Sequence, residues 1–314
     1  MFRKTLVALT ICGAMASPAS ASLFMIDNGV DYGPNGSTST SAINELGYTG
    51  TLATSIYLGN PATAGTQVID TNIASVMTSY GFSAGTHTTM SGGSQNFYFP
   101  SSPDNLNVNS LNNVPSVTDK NGFGDGESAP YGTQIGTLGK TWGLTYSYLL
   151  SGVSTGTNIQ YNDGFFNVFY QDGGATANDG KQVLRLKVTS SDMQLTNLNV
   201  FGFITFDFDG NGTNDAAADP FIQNLFKDVV SGKSFYDLWL ANPTGNTVSW
   251  VVDTNVNPPI PTADQLWNTG QSLIRQSTLD GSIRFAVPEP TSVALLGFGL
   301  LGLGFSRKSK KSNA

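Results

Sequence analysis

A short acidic segment of this chain has the residue types and spacing of a calcium-binding loop. It reads Asp207-Phe208-Asp209-Gly210-Asn211-Gly212-Thr213-Asn214-Asp215. Alternate residues of a tight turn can point oxygen ligands at one centre, and Gly212 permits the sharp bend. The sequence therefore predicts a structural Ca²⁺ site with ligands from Asp207, Asp209, Asn211, the carbonyl of Thr213, and Asp215.

The end of this loop departs from an EF-hand. An EF-hand has a bidentate Glu at its twelfth position, where this chain has Ala218, and Asp219 beside it is out of register. The loop therefore resembles the looser DxDxNG calcium loops of extracellular bacterial proteins. An Asn/Gly-rich turn whose acids face water is the alternative. A second acidic segment, Asp119 to Glu127, is irregularly spaced and contains Lys120, so we expect a solvated loop there.

Residues for nucleophilic or zinc catalysis are scarce. The chain has one His, His87 in a polar Gly/Thr run, and one Cys, Cys12 near the amino end. This excludes a zinc site with several imidazoles, and the sequence contains no Gly-x-Ser-x-Gly nucleophile elbow. Glycoside hydrolysis needs two carboxylates that flank a bond, and spacing alone does not locate such a pair. We predict that the protein is not an enzyme, with a secreted polysaccharide hydrolase as an alternative.

Calcium-dependent carbohydrate binding, as in a lectin-like module, is another alternative. Exposed aromatic rings stack on sugar faces, and the chain has four tryptophans: Trp142, Trp239, Trp250 and Trp267. Three of them occupy positions whose periodicity points inward, so we expect most to be core residues. This alternative needs one exposed tryptophan.

The elements that must position these residues are predicted to be antiparallel strands. Apolar residues alternate with small or polar ones over residues 142–150, 166–170 and 184–188, which is typical of strands with one buried face. Asp163-Gly164 and Asp172-Gly173 are predicted turns. The pattern indicates a mainly β, antiparallel sandwich or barrel. We favour a β-sandwich or jelly-roll-like ectodomain with a few short helices.

Elements on both sides of the acidic loop are predicted from apolar spacing. Val200 to Phe208 indicates a buried strand that leads into the loop, and residues 220–230 and 234–241 have helical spacing. Residues 68–77 are ambiguous between strand and helix.

Two further features are predicted near the end of the ectodomain. Thr262 and Gln265 form a capping-box pattern that predicts a helix over residues 265–274. Asp280-Gly281 predicts a two-residue hairpin turn.

The carboxyl-terminal segment has three parts in a fixed order. Val287-Pro288-Glu289-Pro290 precedes an apolar run from Thr291 to Phe305, and a basic cluster follows: Arg307, Lys308, Lys310 and Lys311. As a helix, the sixteen residues from Thr291 to Ser306 would rise roughly 24 Å, short of the roughly 30 Å hydrocarbon core. Basic residues favour the cytoplasmic side of a membrane. The sequence therefore predicts a marginal transmembrane helix, suited to removal, with the residues before it outside the inner membrane.

These three parts resemble the PEP-CTERM sorting signal of Gram-negative bacteria over residues 287–314. In that family a membrane-embedded exosortase cleaves near the triplet, here Pro288, Glu289 and Pro290, and releases or transfers the protein to the cell surface. The family is associated with extracellular polysaccharide and biofilm formation. The resemblance implies processing by exosortase and a structural or adhesive role at the cell surface or in the extracellular matrix.

The amino end has the pattern of a secretory signal peptide over residues 1–21. Arg3 and Lys4 precede an apolar stretch, and the small residues of Ala19-Ser20-Ala21 suit signal peptidase. Cleavage would make Ser22 the first residue and remove Cys12, so we expect no disulfide. The ectodomain is predicted to have a loop-rich part, residues 22–130, and a β-rich core, residues 131–286.

The charge of the chain limits its partners. Acidic residues outnumber Lys and Arg by 22 to 15, and the formal net charge is −7. Because a phosphate backbone is held mainly by Lys and Arg, nucleic acid is not an expected partner. The predicted partners are signal peptidase, exosortase, exopolysaccharide and, transiently, the inner membrane.

Overall fold

The fold is seen in a computed structural model, which describes residues 22–31, 36–40, 42–99, 110–111, 142–172, 176–194, 197–243, 247–255 and 259–287. Several predicted features lie outside these residues. They are the signal peptide, the second acidic segment, the boundary at residue 130, and the sorting signal from Pro288 onward.

The described residues contain fourteen strands and three short helices. The strands are β1 Phe24–Ile26, β2 Leu46–Tyr57, β3 Gln67–Thr71, β4 Gly85–Thr88, β5 Ser94–Phe97, β6 Ser110–Leu111, β7 Gly143–Ser154, β8 Ile159–Gln171, β9 Gln182–Gln194, β10 Asn197–Thr205, β11 Phe226–Asp228, β12 Ser249–Asn255, β13 Trp267–Asn268 and β14 Leu273–Ala286. The helices are α1 Ala74–Ser79, α2 Pro220–Leu225 and α3 Phe235–Leu240.

Eight of the strands form one sheet that closes on itself. Their order is β12-β10-β9-β8-β7-β3-β2-β14, every neighbouring pair is antiparallel, and β14 pairs in turn with β12. The strands follow one another around the ring in the order in which they occur in the chain. Each of the eight therefore has a partner on both sides.

The prediction of a mainly β, antiparallel fold with a few short helices is confirmed. The favoured sandwich or jelly-roll arrangement differs from the structure, because such folds pack two sheets face to face whereas here a single sheet curls until its ends pair. Inward and outward residues alternate along the strands in both arrangements. The alternation of apolar and polar residues in the sequence therefore could not distinguish a sandwich from a single closed sheet.

Two of the predicted turns lie inside strands instead. Asp163-Gly164 is within β8, and Asp280-Gly281 is within β14 at a shift in its pairing with β2. At Gly164 the φ angle is +134°, and a Cβ atom would lie 2.2 Å from the carbonyl oxygen of Leu149. An irregular position in a strand thus requires glycine as a hairpin turn does. Both turn predictions are wrong: Gly164 occupies such a position, and Gly281 lies at a shift in the pairing of β14 with β2.

The two helices after the acidic loop are confirmed but shorter than predicted, since α2 ends at Leu225 and leads directly into β11. Each begins at a capping side chain. Asp219 Oδ1 accepts a hydrogen bond from Phe221 N at 3.0 Å, and Ser234 Oγ accepts one from Asp237 N at 3.0 Å. The ambiguous residues 68–77 contain both kinds of element, the strand β3 and then α1.

The helix predicted over residues 265–274 does not form. Only half of the capping box forms: Thr262 N donates to the Gln265 side chain at 3.2 Å, whereas Gln265 N donates to the Thr262 carbonyl at 3.0 Å and not to the Thr262 hydroxyl. The turn is not continued because Trp267 pairs with Ile274 of β14. Pairing within the sheet overrides the local capping signal.

A polar cluster lies inside the closed sheet. Asp70 Oδ1 accepts a hydrogen bond from the Tyr148 hydroxyl at 2.8 Å, and Oδ2 accepts from Ser55 at 2.8 Å and from the Tyr161 hydroxyl at 3.2 Å. Arg275 is 2% exposed. Burial raises the pKa of Asp70, while the three hydroxyl donors and the charge of Arg275 act in the opposite direction. The cluster connects β2, β3, β7, β8 and β14.

Other elements cover the sheet from outside and at one end. On the outer side of β2 and β14, Ile56 and Ile274 pack with Met77 of α1 and with Phe82 and Phe97 around the β4–β5 hairpin. At the end where β14 finishes, β1, β11 and α3 bring together four buried aromatic rings, those of Phe24, Phe226, Phe235 and Phe285.

Candidate functional site

The acidic loop, residues 207–215, lies at the end of the closed sheet where β14 finishes. It follows β10, and Asp215 N donates to the carbonyl oxygen of Phe206 at 2.9 Å, which closes the base of the loop. Phe206 is buried against Tyr236 and Trp239 of α3, at 5.2 and 5.5 Å between ring centroids. The strand and the helix therefore fix the base from which the loop projects.

Backbone amides organise the loop around Asp207. Its Oδ1 accepts a hydrogen bond from Gly210 N at 2.8 Å, and its Oδ2 accepts one from Gly212 N at 3.0 Å. Both glycines have positive φ angles, +83° and +86°, a region that favours glycine. Asp209 accepts in the same way from Asn211 N at 3.0 Å. The loop thus wraps around the carboxylates of Asp207 and Asp209.

Three carboxylates converge in this loop. Oxygen atoms of Asp207, Asp209 and Asp215 all lie within 4.8 Å of one another, with Asp207 half-buried and the other two exposed. A carboxylate oxygen that accepts one hydrogen bond still has lone pairs for a cation. Thr213 N donates to Asn211 Oδ1 at 2.8 Å, so the two remaining predicted ligands lie in the same turn. Ca²⁺ takes six to eight oxygens from carboxylates, amides, carbonyls and water, and this set of donors fits it.

Arg185 of β9 reaches the loop from the neighbouring strand. Its guanidinium donates to the carbonyl oxygen of Phe208 and lies 4.3 Å from the centroid of the Phe165 ring. Partial burial lowers the pKa of Arg185, and the nearby charges, Asp207 foremost, act in the opposite direction. Arg185 therefore adds positive charge beside the loop through a bond to a carbonyl oxygen.

The position of Asp219 explains why the loop does not end as an EF-hand does. Asp219 caps α2 through Oδ1, and its Oδ2 pairs with Lys181 at 2.7 Å. Burial acts to raise the pKa of Asp219, but the bond from Lys181 and the amides of α2 outweigh it and lower the pKa. Asp219 is thus held by α2 and Lys181, and it is not among the three carboxylates that converge in the loop.

The tryptophans offer little surface to a sugar. Trp142, Trp239 and Trp250 are buried, as their periodicity predicts. Trp267 is half-buried, and the His87 ring stacks on it at 3.6 Å between centroids and 7° between planes. One face of this indole, on which a sugar could stack, is therefore covered by His87.

The sheet continues directly into the sorting segment. Ala286, the last residue of β14, pairs with Ser249 of β12, and Ser249 Oγ donates to the Ala286 carbonyl at 3.3 Å. The predicted first mature residue lies next to this strand, since Ser22 N donates to the Phe285 carbonyl at 2.8 Å. The two ends of the predicted ectodomain therefore meet.

The other residues of the predicted processing sites lie outside the described part of the chain. These are Ala19 and Ala21 of the signal cleavage site, the triplet Pro288, Glu289 and Pro290, and the basic cluster Arg307, Lys308, Lys310 and Lys311. Of the helices in the described residues, none has the length and apolar character needed to cross a membrane.

Comparison with known proteins identifies one segment. A model of the PEP-CTERM protein-sorting motif matches residues 286–308, which confirms the resemblance for that segment. The match begins at the last residue of β14. No curated protein and no solved structure matches the chain. The motif suggests an exported protein with a membrane-anchored sorting signal that exosortase processes.

The sequence did not indicate the positions of two charged residues, Arg185 and Asp70. Arg185 falls in the alternating stretch 184–188, which does not show that it lies opposite Thr205, two residues before Asp207. Asp70 lay in the ambiguous residues 68–77, so its burial was not predicted. Pairing β9 with β10 would have brought Arg185 to the loop. The partners of Asp70 come from strands far apart in the chain, and no local pattern indicates them.

Proposed function

We propose that this protein is a non-catalytic component of the cell surface or extracellular matrix, with a structural or adhesive role linked to exopolysaccharide. Export delivers the ectodomain, and exosortase cleaves the sorting segment and releases or transfers it. The observation that supports this most is the sorting motif, which begins at Ala286 directly after the ectodomain. Because the motif is joined to a folded domain, the domain is the cargo that is sorted.

The proposal includes a structural Ca²⁺ ion in the acidic loop. The convergence of Asp207, Asp209 and Asp215 within 4.8 Å supports it, because like charges at that spacing repel and a cation would neutralise them. Asn211 and the carbonyl of Thr213 would complete the ligands from the protein. The ion would stiffen the connection between β10 and α2 in a domain that has no disulfide.

Fractionation of cells with and without exosortase tests the sorting proposal. With exosortase, we expect a protein shortened at its carboxyl end in the surface or medium fraction. Without it, the protein should keep the sorting segment and sediment with the inner membrane. Glu289→Ala should reproduce the loss of exosortase. Glu45→Ala is the matched control, because it removes only an exposed ion pair with Arg284, worth about 0–1 kcal/mol. Unchanged mass and location would overturn the proposal.

The role in the matrix needs a separate measurement. A strain that lacks the protein should retain less extracellular polysaccharide, and the wild-type gene should restore it. The Glu289→Ala variant should fail to restore it, because the protein stays anchored. Normal retention in the strain that lacks the protein would reject a structural or adhesive role and leave the sorting result intact.

A further inference from the structure

Both ends of the predicted ectodomain leave the closed sheet at one place. Ser22 N bonds to the Phe285 carbonyl at 2.8 Å, and the ring of Phe24 packs edge-on against Phe285 at 5.2 Å between centroids. Signal peptidase is predicted to cut before Ser22, and the sorting motif begins at Ala286. The fold thus brings the predicted first mature residue close to the start of the sorting motif.

The connection from this end of the sheet to the predicted membrane segment is short. Pairing of β14 with β12 continues through Ala286, and the apolar run begins at Thr291. An extended chain spans at most about 3.6 Å per residue, so these two residues are at most about 18 Å apart. The headgroup region on one side of a bilayer is roughly 5–8 Å thick. The end of the sheet is therefore tethered close to the lipid surface whenever the run is inserted.

Exposed apolar side chains lie at the same end. Val230 is 75% exposed and Leu23 is 45% exposed, and Val229 N donates to the Leu23 carbonyl at 2.9 Å, so the two side chains belong to one tip. Val230 is the most exposed of the large hydrophobic side chains in the described residues. Phe226 of β11, the strand that leads to Val229, is buried and stacks on Phe235 of α3 at 5.8 Å between ring centroids. Single exposed apolar side chains are common on soluble proteins, so exposure alone identifies no partner. Here the exposed side chains lie beside the short tether, and a bilayer interface accepts apolar groups.

We propose that this tip, formed by Leu23, Val229 and Val230, contacts the headgroup region of the bilayer while the chain is anchored. The inference rests on the proposed sorting function, because the tether acts only if the apolar run is inserted. The net charge of −7 does not favour attraction to anionic lipid. Contact is therefore expected on zwitterionic membranes, driven by the tether and by the apolar side chains.

A depth-sensitive label tests the contact. The full chain, in a Cys12→Ser background, is purified from membranes of cells that lack exosortase and reconstituted in phosphatidylcholine vesicles. An environment-sensitive fluorophore is attached at Val230→Cys. The control is Val153→Cys, whose native side chain is 36% exposed and lies at the other end of the sheet, where β7 pairs with the start of β3. We expect spin-labelled lipid to quench the Val230 label at least twofold more than the Val153 label.

The result separates this inference from the function on which it rests. Equal quenching of the two labels, in chains that float with the vesicles, overturns the tip contact and leaves sorting intact. Chains that do not float with the vesicles overturn the membrane anchor, and the tip contact with it. Leu23→Cys provides a second position in case the Val230 variant fails to fold. A Leu23 label quenched no more than the Val153 label also rejects the contact.

Discussion

At the scale of single residues, the proposed Ca²⁺ site depends most on Asp207. Its two oxygens accept the amides of Gly210 and Gly212, and the same carboxylate faces Asp209 and Asp215. One side chain therefore shapes the loop and contributes charge to the centre. Removing the charge while keeping the size of the side chain should weaken metal binding far more than it disturbs the strands.

Calcium should raise the melting temperature of the wild-type protein, and Asp207→Asn should abolish the response. Calcium at one hundred times its dissociation constant adds about 2.7 kcal/mol to the free energy of unfolding. In a domain of this size that corresponds to roughly 5–10 °C. Thermal unfolding in calcium and in chelator measures it. Asp163→Asn is the control. The negative charge of Asp163 also interacts with Arg185, but Asp163 lies outside the acidic loop. If chelator leaves the melting temperature of the wild-type protein unchanged, the proposed Ca²⁺ site is rejected.

At the scale of elements, the buried polar cluster ties five strands of the closed sheet together. Tyr57 of β2 is fully buried near Arg275 and Asp70, and burial raises the pKa of Tyr57 to about 12. Burial likewise raises the pKa of Tyr148 and Tyr161, and the charge of Asp70 adds to the effect. The folded sheet therefore opposes ionisation of these phenols, and the unfolded chain does not.

Alkaline pH should therefore destabilise the fold, and Tyr57→Phe should reduce the loss. Since the folded pKa lies above the unfolded value of 10.0, the contribution of Tyr57 is fully present below pH 10 and is lost as the pH rises toward 12. A shift of about two units corresponds to about 3 kcal/mol. Chemical unfolding at pH 8 and at pH 11.5 compares the wild type with Tyr57→Phe. Exposed Tyr98→Phe should behave as the wild type, and equal alkaline losses in all three proteins would contradict the prediction.

Period-2 patterns predicted that strands exist, but not where they end or what they pair with. Asp163-Gly164 and Asp280-Gly281 look like hairpin turns because a turn and a strand irregularity both select glycine. Only the pairing with the neighbouring strand distinguishes a hairpin turn from an irregular position within a strand. The acidic loop could be predicted because its carboxylates are close in sequence, so one turn brings them together. Arg185 and Asp70 depend on the register of strands that are distant in the chain, which local spacing does not contain.

At the scale of the whole molecule, the closed sheet brings the two ends of the predicted ectodomain together. Ser22 and Phe285 meet at one end, and the acidic loop, α3 and the tip of Leu23 and Val230 lie at that same end. The turns between β2 and β3 and between β7 and β8 lie at the other end. An anchored protein would thus present the β2–β3 and β7–β8 turns outward. Any surface that acts before release should lie among those turns.

A flexible spacer should separate the ectodomain from the bilayer. Twelve Gly/Ser residues inserted between Ala286 and Val287 add a reach of about 17–21 Å, comparable to the native tether itself. Quenching of a Val230 label by spin-labelled lipid should then fall by more than half, because the tip is no longer held within headgroup distance. The same spacer between Thr63 and Ala64, in the turn between β2 and β3, should leave quenching unchanged. Quenching that persists with the spacer after Ala286 would show that the apolar tip holds the surface by itself and that the short tether contributes nothing.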